Sequence, residues 1–293
     1  MSEQQEKKRI TPQNLINALL IVILMQLGAL AIMQVNYDSF VVIVSSSGYS
    51  FDPAGLVVGG PLINAVLLVL FAFGATLGLL WVVRRRMVHS FKLAIFGSIS
   101  ISAFSLTWIT AGDAVEGIVP AELQIPVVII VPSLVVGLIG YTIFVKNRPI
   151  LSSVVLAFVG AEVGAFFAGT LSLWTALALP IVFSLYDIYA VFKGPLKHLI
   201  GTAPGLALTG MSVKLGEFTL GLGDVVFYTM LPALALFLAK STTPISAIAP
   251  LATMAAVDVG VITTLYLLGR KRLLPGLPIP MFLGVAVLAV FLL

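Results

Sequence analysis

Long apolar runs separated by short polar connections make up most of this chain. A helix needs about 20 mostly apolar residues to cross the hydrocarbon core of a bilayer. Helices are favoured over strands, because hydrocarbon offers no partners to unpaired backbone groups. The pattern therefore predicts an all-α, multi-pass membrane protein. Its nine predicted spans are residues 15–34, 60–83, 93–110, 125–145, 150–170, 172–193, 221–239, 245–268 and 278–293.

Two of the predicted connections are too long to be simple turns. Residues 35–59 are predicted to form an external loop with a short β-like run at Val41–Val44, and residues 194–220 to form a cytoplasmic loop. Loops of this length in a compact bundle are usually functional or disordered. No internal repeat divides the chain, so we expect a single domain over residues 1–293. It would comprise six helices in residues 1–193, the loop at 194–220, and three helices in residues 221–293.

Composition supports a membrane protein and excludes several soluble classes. Hydrophobic residues make up 60% of the chain and charged residues only 10%, whereas soluble domains carry about 25% charged residues. An ordinary soluble enzyme, a disordered regulator and a nucleic-acid-binding domain are therefore excluded, despite the net charge of +4. Cysteine is absent, which removes thiolate chemistry and cysteine-based metal sites. We expect no cofactor and no metal.

Basic residues predict the orientation. Of the 16 Lys and Arg residues, all but Lys240 fall before the first predicted span or in alternate connections, which places them on one side of the membrane. Cytoplasmic loops carry the excess of Lys and Arg. The N-terminus is therefore predicted in the cytoplasm and the C-terminus outside, and the first apolar run is predicted to be an uncleaved helix.

Four acidic residues fall inside predicted spans. Eight of the 12 acidic residues are placed in the N-terminal tail or in loops: Glu3, Glu6, Asp38, Asp52, Asp113, Glu116, Glu122 and Glu217. A carboxylate at the bilayer centre costs roughly 2.5–3.5 kcal/mol on insertion scales, so an acidic residue there is a functional hypothesis. The four that remain are Glu162, Asp187, Asp224 and Asp258.

Asp187 and Asp224 are predicted at similar depth on neighbouring antiparallel helices. Asp187 lies six residues before the cytoplasmic end of its span, about 9 Å at the helical rise, and Asp224 lies just inside the start of the next. Two close carboxyls in a poorly solvated site share one proton, as in aspartic proteases. Depth and spacing alone leave open a structural polar pair and a proton relay in a transporter.

Other peptidase chemistries lack their residues. A serine protease needs a histidine base, but His89 and His198 both lie among cytoplasmic basic residues and are predicted to be solvated. The His-Glu-x-x-His motif of zinc proteases is absent. If the chain cuts peptides within the bilayer, its aspartates are the available catalytic groups.

Two motifs resemble those of a known protease family. Tyr186-Asp187 and Gly221-Leu222-Gly223-Asp224 are similar to the YD and GxGD motifs of intramembrane aspartyl proteases, the presenilin and signal peptide peptidase group. The third family element, Pro-Ala-Leu, is matched by Pro275-Gly276-Leu277, with glycine in place of the usual alanine. A literal Pro232-Ala233-Leu234 directly follows the second motif, and we interpret it as a coincidence.

The resemblance implies a fold, an activity and a mechanism. It implies nine presenilin-like helices and cleavage of single-span membrane proteins within the bilayer, with Asp187 and Asp224 activating one water. A substrate helix would unwind and pair as a strand, either with the segment that includes Val213, Lys214 and Leu215 or with residues 275–280. The residues around Asp187 and the predicted orientation resemble presenilins. The short loops suggest an archaeal homologue, which we expect in the cell membrane of a prokaryote.

Other functions remain as alternatives at this point. A proton or cation transporter, or a leak channel, would use the four membrane carboxylates, and a membrane scaffold or chaperone would use neither aspartate. Glu162 and Asp258 match no motif, so pairing between helices is favoured for both over a catalytic role. Activity without partner subunits is expected. Homo-oligomerisation, the substrate and cleavage of the 194–220 loop are left open.

Overall fold

The computed structural model describes residues 12–46, 60–85, 87–145, 149–193, 212–215, 218–241, 245–268 and 274–293. The α-helices of this part are α1 (Pro12–Val35), α2 (Tyr37–Ser46), α3 (Gly60–Arg84), α4 (Val88–Val115), α5 (Ala121–Gly140), α6 (Pro149–Thr170), α7 (Leu173–Phe192), α8 (Leu222–Lys240), α9 (Ala249–Leu268) and α10 (Pro278–Leu292). A π-helical turn, Tyr141–Val145, extends α5, and a hairpin pairs β1 (Ser212–Leu215) with β2 (Phe218–Gly221). His198 lies outside the described residues.

Seven of the described helices are long and apolar enough to cross a membrane. They are α1, α4, α5 with its π-helical turn, α6, α7, α8 and α9. Helices also occupy the second and ninth predicted spans: α3 contains the apolar stretch Val66–Ala75, and α10 is a 15-residue apolar helix. The chain is therefore an integral, multi-pass membrane protein.

The predicted β-like run at Val41–Val44 is wrong, because these residues belong to α2. A short apolar run does not distinguish a strand from a helix by its pattern. Here packing decides: Phe40 is buried, and its ring lies against Gly169 and, edge-on, against Phe166 at the end of α6.

The all-α prediction is corrected by the hairpin formed by β1 and β2. β1 lies inside the predicted 194–220 loop, and β2 runs to Gly221, which the prediction placed in a helix. Val213, Phe218 and Leu220 are buried, while Thr219 is exposed. This alternation is typical of a strand with one face packed on a core, and here the sheet packs against α6.

Three acidic residues predicted in external loops are helical instead. Asp38 lies in the first turn of α2. Asp113 lies in the last turn of α4, and Glu122 lies in the first turn of α5. Asp113 accepts a hydrogen bond of 2.9 Å from Ser39 of α2. This bond stabilises the carboxyl within the helix, so α4 continues past the predicted end of its span.

Helix α8 lies at the centre of the bundle and carries Asp224 near its N-terminus. Most of its side chains are buried, against α6, α1, α9 and α10. Glycines permit close approach: a Cβ on Gly160 of α6 would lie 2.7 Å from Val225, and one on Gly284 of α10 would lie 2.8 Å from Leu231. Such close packing fixes the position of α8 and therefore of Asp224.

Candidate active site

Asp224 is placed by the junction between β2 and α8. The strand ends at Gly221 and the helix begins at Leu222, so Asp224 occupies the third helical position. Its Oδ2 accepts a hydrogen bond of 3.1 Å from the backbone N–H of Gly221. A carboxylate that reaches back to the N-cap in this way satisfies one of the free N–H groups at the helix start, where the helix dipole also favours negative charge.

Asp187 approaches from α7 and is held by a different segment. It lies five residues before Phe192, the last residue of α7, and is partly buried. Its Oδ2 accepts a hydrogen bond of 3.1 Å from the backbone N–H of Leu277, and the backbone of Gly276 lies next to the same carboxyl. The backbone just before α10 therefore orients this carboxyl.

Gly276 lies between the two carboxyls. A Cβ on Gly276 would lie 3.0 Å from Oδ2 and 3.2 Å from Oδ1 of Asp224, while the backbone of this glycine contacts Asp187. The two aspartates are also close enough to interact electrostatically. The structure thus brings together the three predicted motifs, and the glycine that departs from the family pattern stands in contact with both carboxyls.

Tyr228 also lies at the site, although none of the sequence motifs includes it. It lies one helical turn after Asp224 and is buried, and its hydroxyl donates a hydrogen bond of 2.9 Å to the carbonyl of Gly276. Residues four apart on a helix share a face, so its spacing from Asp224 was an available signal. Tyr228 therefore helps to hold the segment that orients Asp187.

The remaining motif residues shape the surroundings of the two carboxyls. The ring of Tyr186 packs edge-on against Phe73 of α3 and Phe183 of α7. Pro275 and Leu277 are buried, and Leu222 packs close to Gly160. Gly223 is exposed, and a Cβ there would meet no other atom within 4 Å, so it provides an open side next to Asp224.

The residues predicted to pair with a substrate strand form β1. Within the chain, Val213 pairs with Leu220, Lys214 with Thr219 and Leu215 with Phe218, in antiparallel register. One edge of β1 is therefore occupied by β2. No third strand joins this hairpin in the described part of the chain.

The other membrane carboxyls contact helices that carry neither Asp187 nor Asp224. Glu162 of α6 accepts a hydrogen bond of 3.0 Å from Thr107 of α4, and Asp258 of α9 interacts with Gln26 of α1. His89 is exposed in the first turn of α4. Among the residues that the structure describes, no group of three His, Cys, Asp or Glu side chains could hold a metal ion.

Comparison with solved structures identifies the fold. The chain superposes on a crystal structure of a presenilin family intramembrane aspartate protease in space group C222 with a TM-score of 0.63 and 18% identity, covering 95% of this chain and 98% of that one. A structure with the same description in space group P2 gives a TM-score of 0.59 and 20% identity, covering 94% and 96%. The chain has the presenilin fold.

Sequence comparison gives a relative with the same family name. Presenilin-B of Dictyostelium discoideum is 32% identical over 122 residues. The match covers 38% of this chain and 24% of the relative, so the chain spans about a quarter of that protein's length. No family model matches the chain. The presenilin fold thus rests on structure over nearly the whole chain and on sequence over a shorter part.

Proposed function

We propose that this protein is an intramembrane aspartyl protease in which Asp187 and Asp224 activate one water to hydrolyse peptide bonds in transmembrane segments. One observation carries the proposal: carboxyls from two different helices converge on a single backbone segment, Gly276-Leu277. The likeness to presenilin-family intramembrane aspartate proteases, which covers at least 94% of the chain, supports the same function.

The expected mechanism uses the two carboxyls in complementary roles. One aspartate, ionised, takes a proton from a water that attacks the scissile carbonyl carbon, and the other, protonated, donates its proton to the carbonyl oxygen. The tetrahedral intermediate then breaks its C–N bond, and the amine leaves with a proton from the pair. Backbone donors at Gly221 and Leu277 fix the orientation of both carboxyls, so little reorganisation is needed during the reaction.

The expected substrate is a single-span transmembrane segment. Its helix must unwind locally before a backbone carbonyl can reach the aspartates. The unwound part of the substrate would pair as a strand with an edge of the β1–β2 hairpin, whose second strand ends at Gly221. Residues 275–280 offer a poorer edge, because the N–H of Leu277 is already bonded to Asp187 and the three prolines, Pro275, Pro278 and Pro280, have no N–H to donate.

The proposed topology follows the distribution of charge. We place nine spans in one membrane-embedded domain, with the N-terminus in the cytoplasm and the C-terminus outside, in the cell membrane of a prokaryote. Lys240, the basic residue assigned to the outer face, lies with its Nζ 4.5 Å from the ring centre of Tyr37. That contact gives the cation a partner on the outer side. We further propose that the chain acts without a cofactor or partner subunit.

The test is cleavage of a purified single-span reporter by the detergent-solubilised protein. Wild type should cut the reporter within its transmembrane segment, as mapped by mass spectrometry, and a transition-state analogue of aspartyl proteases should block it. Asp187→Ala and Asp224→Ala should each abolish cleavage, whereas His89→Ala should retain it. Wild-type proton or cation flux in liposomes, lost in Asp187→Asn and unaccompanied by cleavage, would instead establish a transporter.

A further inference from the structure

A proline in α8 leaves one backbone carbonyl without its helical partner. In a helix, each carbonyl accepts from the N–H four residues later, and proline has no N–H. Pro232 lies inside α8, four residues after Tyr228, so the carbonyl of Tyr228 loses this bond. An unpaired carbonyl in the core of a membrane bundle is costly, and it requires a donor from elsewhere.

Gln26 of α1 provides that donor. Its Nε2 donates a hydrogen bond of 3.3 Å to the carbonyl of Tyr228, across 202 residues of sequence. Gln26 is fully buried in a helix that is otherwise apolar around it. A buried amide is unfavourable unless it is hydrogen-bonded, so the bond to Tyr228 gives this polar residue a reason to occupy the core.

Asp258 of α9 fixes the orientation of the Gln26 amide. Its carboxyl interacts with the Gln26 side chain. Two acceptors, the Tyr228 carbonyl and the Asp258 carboxyl, thus face one amide, and only its NH₂ end can donate to both. Asp258 therefore favours the amide orientation in which Nε2 faces the Tyr228 carbonyl.

Tyr228 links this interaction to the candidate active site. Its hydroxyl holds the carbonyl of Gly276 at 2.9 Å, next to the backbone donor that orients Asp187. We infer that Gln26 is a positioning residue for peptide hydrolysis: by bonding the carbonyl that Pro232 leaves free, it holds Tyr228, and through Tyr228 the Gly276-Leu277 segment. This inference rests on the proposed protease function.

The test is a double-mutant cycle between Gln26 and Pro232. Gln26→Met removes the donor at similar length and should lower kcat about tenfold with KM little changed, the size of effect expected when a buried carbonyl loses its partner. Pro232→Ala restores an N–H at the position that normally serves the Tyr228 carbonyl. In the Pro232→Ala background, Gln26→Met should change kcat by less than about threefold. If the two sites were independent, the loss would stay tenfold in both backgrounds.

A matched control is the same substitution on the same helix. Gln13 is exposed near the start of α1, and its amide donates a hydrogen bond of 3.1 Å to Asn17 one turn later. Gln13→Met should leave kcat, KM and the thermal unfolding midpoint unchanged. A full tenfold loss from Gln26→Met in the Pro232→Ala background would overturn the inference.

A second cycle covers the case in which Pro232→Ala does not fold. Tyr228→Phe breaks the link to Gly276, so adding Gln26→Met should cause no further loss of kcat, and a further tenfold loss would overturn the inference. Unfolding midpoints across either cycle also report the coupling without cleavage. If the wild-type protein cuts no reporter, the protease function is rejected. If the unfolding midpoints show no coupling between Gln26 and its partner in the cycle, the role of Gln26 is rejected separately.

Discussion

The backbone N–H of Leu277 lies 3.1 Å from Oδ2 of Asp187, and this bond ties the end of α7 to the segment that precedes α10. The adjacent Gly276 is held in turn by Tyr228 of α8. These two bonds hold α7, α8 and the start of α10 together around the two carboxyls. The site depends on this backbone segment as much as on the aspartates themselves.

Tyr228→Phe should lower kcat about tenfold while leaving the fold intact. Removal of the hydroxyl frees the carbonyl of Gly276, and the loss of one buried hydrogen bond costs about 1 kcal/mol, rising when a partner is left unpaired. Reporter cleavage and thermal unfolding measure the two effects. Tyr141→Phe, at an exposed tyrosine of the π-helical turn, is the control and should match wild type. Unchanged kcat in Tyr228→Phe would remove the tyrosine from the site.

Gly276→Ala should reduce cleavage several-fold, and Gly276→Val should abolish it. A Cβ at this position lies 3.0 Å from the Asp224 oxygen that also accepts from Gly221. The carboxyl must therefore move by a few tenths of an ångström and weaken that bond. Steady-state kinetics on the reporter check this, with Gly97→Ala as the control, because a Cβ at Gly97 meets no other atom within 4 Å. Full activity in Gly276→Val would contradict the tight contact.

Gly164→Ala should destabilise the bundle rather than alter chemistry directly. An added Cβ would collide with Thr229 Oγ1 and lie 2.7 Å from the carbonyl oxygen of Val226, both in α8. Overpacking of this kind typically costs about 1–3 kcal/mol. Thermal unfolding in detergent should show a lowered midpoint, whereas Gly137→Ala, where a Cβ finds open space, should not. Equal midpoints for the two variants would disagree with the α6–α8 packing.

Glu162 is expected to act in structure and not in catalysis. The carboxyl is buried, accepts from Thr107 and lies between α4 and α6, with its Oε1 unpaired in the structure. Glu162→Gln keeps an acceptor for Thr107 and should retain reporter cleavage. Thr107→Val removes the donor and should lower stability by about 1–3 kcal/mol. A Glu162→Gln variant that unfolds like wild type but no longer cleaves would instead assign Glu162 a role in the reaction.

The positions of the helices could be predicted from the sequence because a bilayer imposes one requirement on every spanning helix. Each must be apolar along about 20 residues, so hydropathy alone places α6 at residues 150–170 and the structure has Pro149–Thr170. The aspartates could be singled out for the complementary reason, since charge is costly in that environment. Both signals are local and need no knowledge of which helices are neighbours.

Features that depend on packing could not be predicted in this way. The run at Val41–Val44 is compatible with a strand or a helix, and the contact of Phe40 with α6 decides for α2. The β1–β2 hairpin needs a partner strand that the pattern does not indicate. The spacing of Tyr228 from Asp224 places both on one helix face, but the contacts of Gln26 with α8 and of Tyr228 with the segment before α10 depend on tertiary packing.

The orientation can be tested directly, because the chain contains no cysteine and each introduced thiol is therefore unique. His89 lies between the second and third predicted spans and Glu116 between the third and fourth, and both side chains are exposed. The excess of Lys and Arg predicts His89 on the cytoplasmic side and Glu116 outside. In intact cells, a membrane-impermeant maleimide should label Glu116→Cys, and it should label His89→Cys only after permeabilisation. The reverse pattern would invert the topology and place the aspartates near the outer face.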